Sequence, residues 1–109
     1  MDKFPWIFRN SIEVLAKPFA EMETHGFGHE QLAEIGNDFD SALIWARGHG
    51  GREVLLDEIV ERLEKIDELF NGMDKQHGMA CWEFGATRKF KEWTEIQQIA
   101  REICERVEF

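Results

Sequence analysis

The amino-acid sequence predicts an all-α fold, a small antiparallel bundle of about four helices with a long ordered loop between the third and the fourth. Tyrosine is absent and Glu, Leu, Ile, Ala, Lys and Arg dominate, a composition typical of helices rather than sheets. Apolar residues recur at steps of three and four in several long segments. With 109 residues, the chain is long enough to form one domain, residues 1–109, around a single hydrophobic core.

The clearest helical segment runs from Glu53 to Phe70 and is the predicted third helix. Its apolar positions fall on one stripe, and its acidic positions fall within a separate sector of the helix surface. We expect the stripe to pack into the core and the acidic sector to face water or a basic partner. The stripe comprises Leu56, Ile59, Leu63, Ile66 and Phe70, and the acidic sector comprises Glu53, Asp57, Glu61, Glu64 and Glu68.

Similar stripes predict the helices that precede this segment. Pro5 suits a first helical turn, and Pro18 should kink or split the first helix. A second helix should run from about His29 to Arg47, and Gly36 in its interior indicates a point of close packing. The segment Gly48-His49-Gly50-Gly51 should then make a tight connection to the third helix.

The segment from Gly72 to Ala86 follows a predicted helix stop at Asn71-Gly72 and shows no persistent helical period. It is long for a connection within a bundle, yet it carries apolar and aromatic residues that a solvated linker would lack. We therefore expect an ordered loop, with a short strand or helical turn from Met79 to Phe84, folded back on the bundle. The last helix should begin at Thr87 and end near Val107.

Charge and composition restrict the classes of function. The formal net charge is −9 and the sequence pI is about 4.9, so direct nucleic-acid binding is not expected, because neutralising phosphates requires a cationic face. No segment approaches the roughly 20 apolar residues that a membrane-spanning helix needs. The N-terminal sequence lacks the pattern of a secretory signal, and the two cysteines fit a reduced, cytoplasmic setting.

Three possible chemical sites have simpler structural interpretations. His25 and His29 with nearby glutamates would suit a divalent metal on a continuous helix, but the glycines between them should break that helix. Cys81 is a conceivable nucleophile, but its apolar neighbours favour a buried, inert thiol, and Cys104 is interpreted in the same way. The glycines of residues 48–51 lack the preceding strand and the Lys-Ser/Thr ending of a phosphate-binding loop. No cofactor, metal or catalytic residue is predicted.

The acidic helix faces are the remaining functional candidates. The acidic sector of the third helix and an acidic face of the second could form one patch that attracts a basic protein and suppresses wrong partners. Aromatic residues of the ordered loop would anchor such an interface, since Trp dominates binding hot spots. The alternative is a solvated face that only favours solubility. The further candidate residues are Glu30, Glu34 and Asp38 on the second helix and Trp82 and Phe84 in the loop.

Three hypotheses about function follow. In the first, the chain is a small cytoplasmic inhibitor of the immunity, antitoxin or anti-defence type, which occludes a basic site on a toxin or a nucleic-acid enzyme. In the second, it is a helical metal-binding protein or enzyme that uses His and Glu side chains. In the third, its apolar stripes pair between chains, and it is a structural or homo-oligomeric protein. The first hypothesis accounts for the size, the acidity and the lack of catalytic motifs.

Overall fold

Helices make up all the regular secondary structure in residues 4–17, 29–82 and 86–107, the part of the chain that the computed structural model describes. The predicted all-α class is confirmed, because the short and long helices pack against one another without any strand in these ranges. The elements are α1 (Trp6–Ala16), α2 (His29–Arg47), α3 (His49–Val54), α4 (Asp57–His77), a 3-10 helix (Gly78–Trp82), α5 (Ala86–Lys89) and α6 (Lys91–Arg106).

The core lies between α1, α2, α4 and α6, each of which contributes one buried stripe. The stripes keep the three-and-four spacing because such positions share one helix face. Burial of each large apolar side chain contributes roughly 1.5–3 kcal/mol, more than an exposed ion pair at about 0–1 kcal/mol. The largest fully buried side chains are Phe8, Ile12, Leu15, Leu32, Phe39, Leu43, Ile59, Leu63, Ile66, Met73 and Trp93.

The helices α2 and α4 run antiparallel. Near the middle of both helices, Phe39 packs on Phe70 with ring centroids 5.5 Å apart. At the end of α2, Arg47 bonds to Glu64, which lies earlier on α4. Residue numbers therefore increase along α2 where they decrease along the facing α4, in agreement with the predicted antiparallel bundle.

The first and last described helices are joined at the C-terminal end of α1. Arg101 on α6 donates from Nε to the Ala16 carbonyl at 3.1 Å, and the Gln97 side-chain amide donates to the Lys17 carbonyl. The last carbonyls of a helix have no partner within it, so these two bonds satisfy groups that would otherwise need water. Helix α1 ends before Pro18, in agreement with the predicted interruption, and Pro18 itself lies outside the described residues.

The glycine-rich segment differs from the predicted tight connection. After Gly48, the chain continues as the short helix α3, and Glu53 lies on this helix rather than on the long one that follows. A Cβ atom on Gly51 would collide with the backbone of Ala46. The backbone of α3 can approach α2 this closely only because no side chain intervenes, which explains the glycine at this position.

The long helix α4 begins and ends later than the sequence spacing predicts. Leu56 precedes its first turn and is 66% exposed, so the prediction of a core position there is wrong. The buried stripe of α4 runs instead from Ile59 to Met73. The helix continues to His77, and Gly78 ends it with a φ of 58°, a backbone conformation that glycine adopts without strain.

The segment between α4 and α6 is more helical than the predicted loop. Asn71-Gly72 does not stop α4, because burial beyond it favours another turn of helix. The 3-10 helix follows α4 directly, which confirms the predicted helical turn, although Phe84 lies outside the described residues. Helix α5 then precedes α6, and Phe90 rather than Thr87 is the N-cap of α6.

Two helical glycines provide a matched test of the packing. A Cβ on Gly36 would lie 2.8 Å from Cη2 of Trp82, whereas a Cβ on Gly72 would meet nothing within 4 Å. We expect Gly72→Ala to raise the free energy of unfolding by about 0.5–1 kcal/mol through helix propensity. Gly36→Ala should lower it by about 1–3 kcal/mol through overpacking. Urea denaturation followed by circular dichroism measures both, and equal effects would contradict the close contact at Gly36.

Ser11 provides a second test, because its side chain is 2% exposed and its hydroxyl has no hydrogen-bond partner in the described structure. A buried polar group left unpaired costs about 1–3 kcal/mol, so Ser11→Ala should leave the free energy of unfolding unchanged or raise it. The neighbouring change Ile12→Ala is the control and should lower that free energy by about 2–5 kcal/mol. A clear loss of stability in Ser11→Ala, measured by thermal or urea denaturation, would show that the hydroxyl is paired in solution.

Candidate functional site

An open groove of about 390 Å³ lies between α2 and α4, with the 3-10 helix at one end. The bottom of the groove is apolar, because Phe39 and Phe70 are buried beneath it. Trp82 stacks on Phe70 with ring centroids 5.6 Å apart and an interplanar angle of 15°. Met79 lines the same end of the groove and is 61% exposed. An exposed methionine beside a stacked tryptophan forms an adaptable apolar contact surface.

The upper walls of the groove are acidic. Asp40 lines it from α2, and Asp67 and Asp74 line it from α4, with the amides of Asn37 and Asn71 between them. On α4 the steps from 67 to 71 and from 71 to 74 keep these side chains on one face. The lining contains three carboxylates and no Lys or Arg among the described residues. The groove therefore combines an apolar base with a negative rim.

Arg47 of α2 does not line the groove but contacts the neighbouring carboxylates of α4, Glu64 and Asp67. Its Nε donates to Oε1 of Glu64 at 2.9 Å and its Nη2 donates to Oε2 at 2.6 Å. Such a two-point bond between guanidinium and carboxylate is short and geometrically specific. The hydrogen bonds from Arg47 hold the pKa of Glu64 below its usual value. Glu64, which the sequence places in a free acidic sector, is thus engaged within the chain.

Asp67 carries a negative charge that its surroundings compensate only in part. Its Oδ2 lies 3.8 Å from Nη2 of Arg47, and Asn71 donates a long bond of 3.4 Å to the same oxygen. The side chain is 26% exposed, and this burial raises the pKa of Asp67. Arg47 opposes the increase, while repulsion from Glu64 and Asp40 adds to it.

Trp82 lines the groove, but it is held in place rather than free to anchor a partner. Its Nε1 donates to Oδ1 of Asp74 at 2.9 Å. Its ring stacks on Phe70 and meets Trp93 edge-on at 5.7 Å. The sequence-based expectation of an anchor at Trp82 is therefore refined: this side chain builds the wall, and Met79 is the exposed apolar contact.

The predicted acidic residues are spread over more than one surface. None of the predicted acidic residues on α3 and α4 lines the groove. The two on α2 whose side chains are described, Glu34 and Asp38, do not line it either. Glu68 lies 3.8 Å from Lys65, an exposed pair of little energetic weight. The side chain of Glu30 and all of Phe84 lie outside the described residues. Among the predicted residues, the exposed acidic side chains away from the groove are Glu34 on α2, Glu53 on α3 and Asp57, Glu61 and Glu68 on α4, while Asp38 on α2 is half-buried.

The residues that line the groove follow a pattern that the sequence contains. Asp67 and Asp74 each come directly after a buried position of α4, and Asp40 comes directly after the buried Phe39. Positions next to the core stripe border the neighbouring helix rather than open solvent. Acidic residues at such border positions, taken from two helices that pack together, would have identified this groove.

Both cysteines are free thiols. Cys81 is fully buried, its Sγ donates to the Gly78 carbonyl at 3.2 Å, and burial raises its pKa to about 11. Burial also raises the pKa of Cys104. The burial predicted for Cys81 is confirmed, whereas Cys104 is half-buried. In the described ranges no cluster of three or more His, Cys, Asp or Glu is arranged to hold a metal ion; His25 and the side chain of His29 lie outside them.

Comparison with known proteins adds no assignment to this geometry. The chain matches no protein-family model, no curated protein sequence and no solved structure. None of the described helices is both long enough and apolar enough to cross a membrane. Inference about function therefore depends on the groove and on the distribution of charge.

Asp67→Asn tests the partly compensated carboxylate. The folded-state pKa of Asp67 is raised, so ionisation of this side chain disfavours the folded state. This cost is absent when the pH is below 3.8, the ordinary pKa of an aspartate side chain. We expect the variant to exceed the original protein in free energy of unfolding at pH 7 by at most about 1 kcal/mol, since the carboxylate is partly solvated. The difference should shrink as pH falls through the raised pKa.

Urea denaturation at several pH values between neutrality and pH 3.8 measures this dependence. Glu61→Gln is the control, because it removes the same charge from an exposed position outside the groove. A lower stability of Asp67→Asn throughout the range would show that the attraction of Arg47 outweighs burial.

Proposed function

We propose that the protein is a binding module without catalysis of its own, a small cytoplasmic inhibitor that covers a basic site on a toxin or a nucleic-acid enzyme. The observation that carries the proposal is the groove between α2 and α4, where Asp40, Asp67 and Asp74 stand above an apolar base. A surface of this kind complements a cationic site. It presents negative charge where such an enzyme would otherwise bind phosphate groups.

The net charge of the chain supports the same partner class. At −9, the protein attracts a basic partner over several ångströms and accelerates the encounter at low ionic strength. Exposed carboxylates outside the groove, such as Glu34 and Glu61, contribute to this long-range field. The groove then contributes the short-range fit. Steering and recognition are thus divided between different acidic residues.

One end of the groove is held in place by contacts within the chain, which favours binding. Asp74 is oriented by the indole of Trp82, and Trp82 is fixed by its stack on Phe70. Side chains that are already ordered lose little conformational entropy when a partner arrives. The ordering of Asp74 and Trp82 therefore lowers the entropic cost of binding at this end of the groove.

Pairing between chains is not part of the proposal. The stripes that would have paired, from Leu56 to Phe70 and from Trp93 to Val107, are buried within one chain except for Leu56. The apolar surface needed for a coiled-coil seam is consequently already used in the core.

Binding to a basic partner can be tested with two charge-matched variants. The protein is used to capture partners from a lysate of its own host at low salt, and the affinity and inhibition of each captured basic protein are then measured. Asp40→Asn should weaken binding by about tenfold, because it removes a charge from the groove. Asp57→Asn removes the same charge from a position about 15 Å from Asp67 along the axis of α4, outside the groove. It should change affinity by less than about twofold.

Two outcomes would contradict the proposal. The first is the absence of any basic partner whose activity falls in the presence of the protein. The second is an equal loss of affinity in Asp40→Asn and Asp57→Asn, which would mean that net charge alone accounts for the association.

A further inference from the structure

We propose that the groove between α2 and α4 receives an arginine side chain of the partner, with its guanidinium between Asp40 and Asp67. Apolar atoms of the partner residue next to this arginine would cover Met79. This inference rests on the proposed function and deepens it, because it identifies the part of a basic partner that is recognised.

Arg47 already shows how this row of carboxylates binds a guanidinium. It reaches from α2 to α4, bonds to Glu64 at two points and approaches Asp67 to 3.8 Å. The row continues past Asp67 to Asp74 on the same face of α4, and Asp40 lies opposite on α2. In the described part of the chain, no ion pair involves Asp40 or Asp74. Arg47 therefore pairs with only part of this set of carboxylates, and Asp40 and Asp74 are left for a second cation.

The position of Asp67 favours a second cation. Asp67 and Asp40 line the same groove from opposite helices, and the Asp67 side chain is only 26% exposed. A positive group between these two side chains would replace repulsion by attraction on both walls. Asp40 is exposed, so the approach from solvent is open.

The chemistry of the groove favours arginine over lysine. A guanidinium is planar and donates in two directions, so it can bond to carboxylates on opposite walls, whereas an ammonium is a compact point charge. A guanidinium is also weakly hydrated and tolerates the aromatic rings of Phe70 at the base and Trp82 in the wall. The volume of about 390 Å³ suits one large side chain with part of its neighbour rather than a whole helix.

The test uses three blocked tripeptides with the full-length protein, namely leucyl-arginyl-leucine and the versions in which lysine or the neutral isostere citrulline replaces arginine. Binding is followed by two-dimensional ¹H–¹⁵N spectra, in which the indole N–H of Trp82 reports on its bond to Asp74. We expect the arginine peptide to shift this resonance and those of Asp67 and Asn71 in a saturable way below about 10 mM. The lysine peptide should bind at least about fivefold more weakly, and the citrulline peptide should not saturate.

Variants locate the binding in the groove. Asp40→Asn should weaken binding of the arginine peptide by at least about fivefold, because one wall loses its charge. Glu95→Gln removes a charge of the same sign from an exposed position on α6, outside the groove, and should leave the binding unchanged within about twofold. Both residues are exposed, so these changes do not disturb the core.

The outcomes separate this inference from the proposed function. The inference is overturned by the absence of saturable shifts, by equal binding of the lysine or citrulline peptide, or by an equal response of the two variants. If the protein still inhibits a basic partner in any of those cases, the proposed function stands without it. Specific binding of the arginine peptide together with no inhibition of any basic protein supports the groove site and overturns the proposed function.

Discussion

Trp93 of α6 is fully buried, and its indole nitrogen donates a hydrogen bond to the Cys81 carbonyl at 2.9 Å. Its ring also meets Phe70 edge-on at 5.4 Å and Trp82 edge-on at 5.7 Å. A short 3-10 helix is weak by itself, because its hydrogen-bond geometry is poor. Trp93 fixes that helix to the core, and the groove exists because Trp82 is thereby held against α2 and α4.

The sequence predicts the all-α fold and α2 well, because an unbroken apolar stripe between glycine-rich segments determines both the helix and its buried face. It misplaces the start of α4, because Leu56 fits the apolar spacing of the helix. Only the packing of α3 on α2 places Leu56 in the connection before α4. The sequence also ends α4 too early at Gly72. The tertiary burial of Met73 outweighs the local cost of a glycine in a helix.

The candidate site was less predictable than the fold. The acidic character of α4 and the presence of Trp82 near it follow from the sequence, but the choice of Asp40 and Asp67 over Asp57 depends on which faces of α2 and α4 meet. Likewise, nothing local indicates that Arg47 bonds to Glu64, since the two residues belong to different helices. Charge patterns along one helix identify a solvent-facing sector, whereas a groove requires the relative position of two helices.

The bonds from α6 to the end of α1 also have a consequence for the order of folding. The partners Gln97 and Lys17 are 80 residues apart, and Arg101 and Ala16 are 85 apart. Contacts with such separation form late, because a long stretch of chain must be ordered to close them. During synthesis, one side of α1 thus remains uncovered until α6 has emerged, and the nascent chain exposes that apolar surface while the residues between the two helices are added.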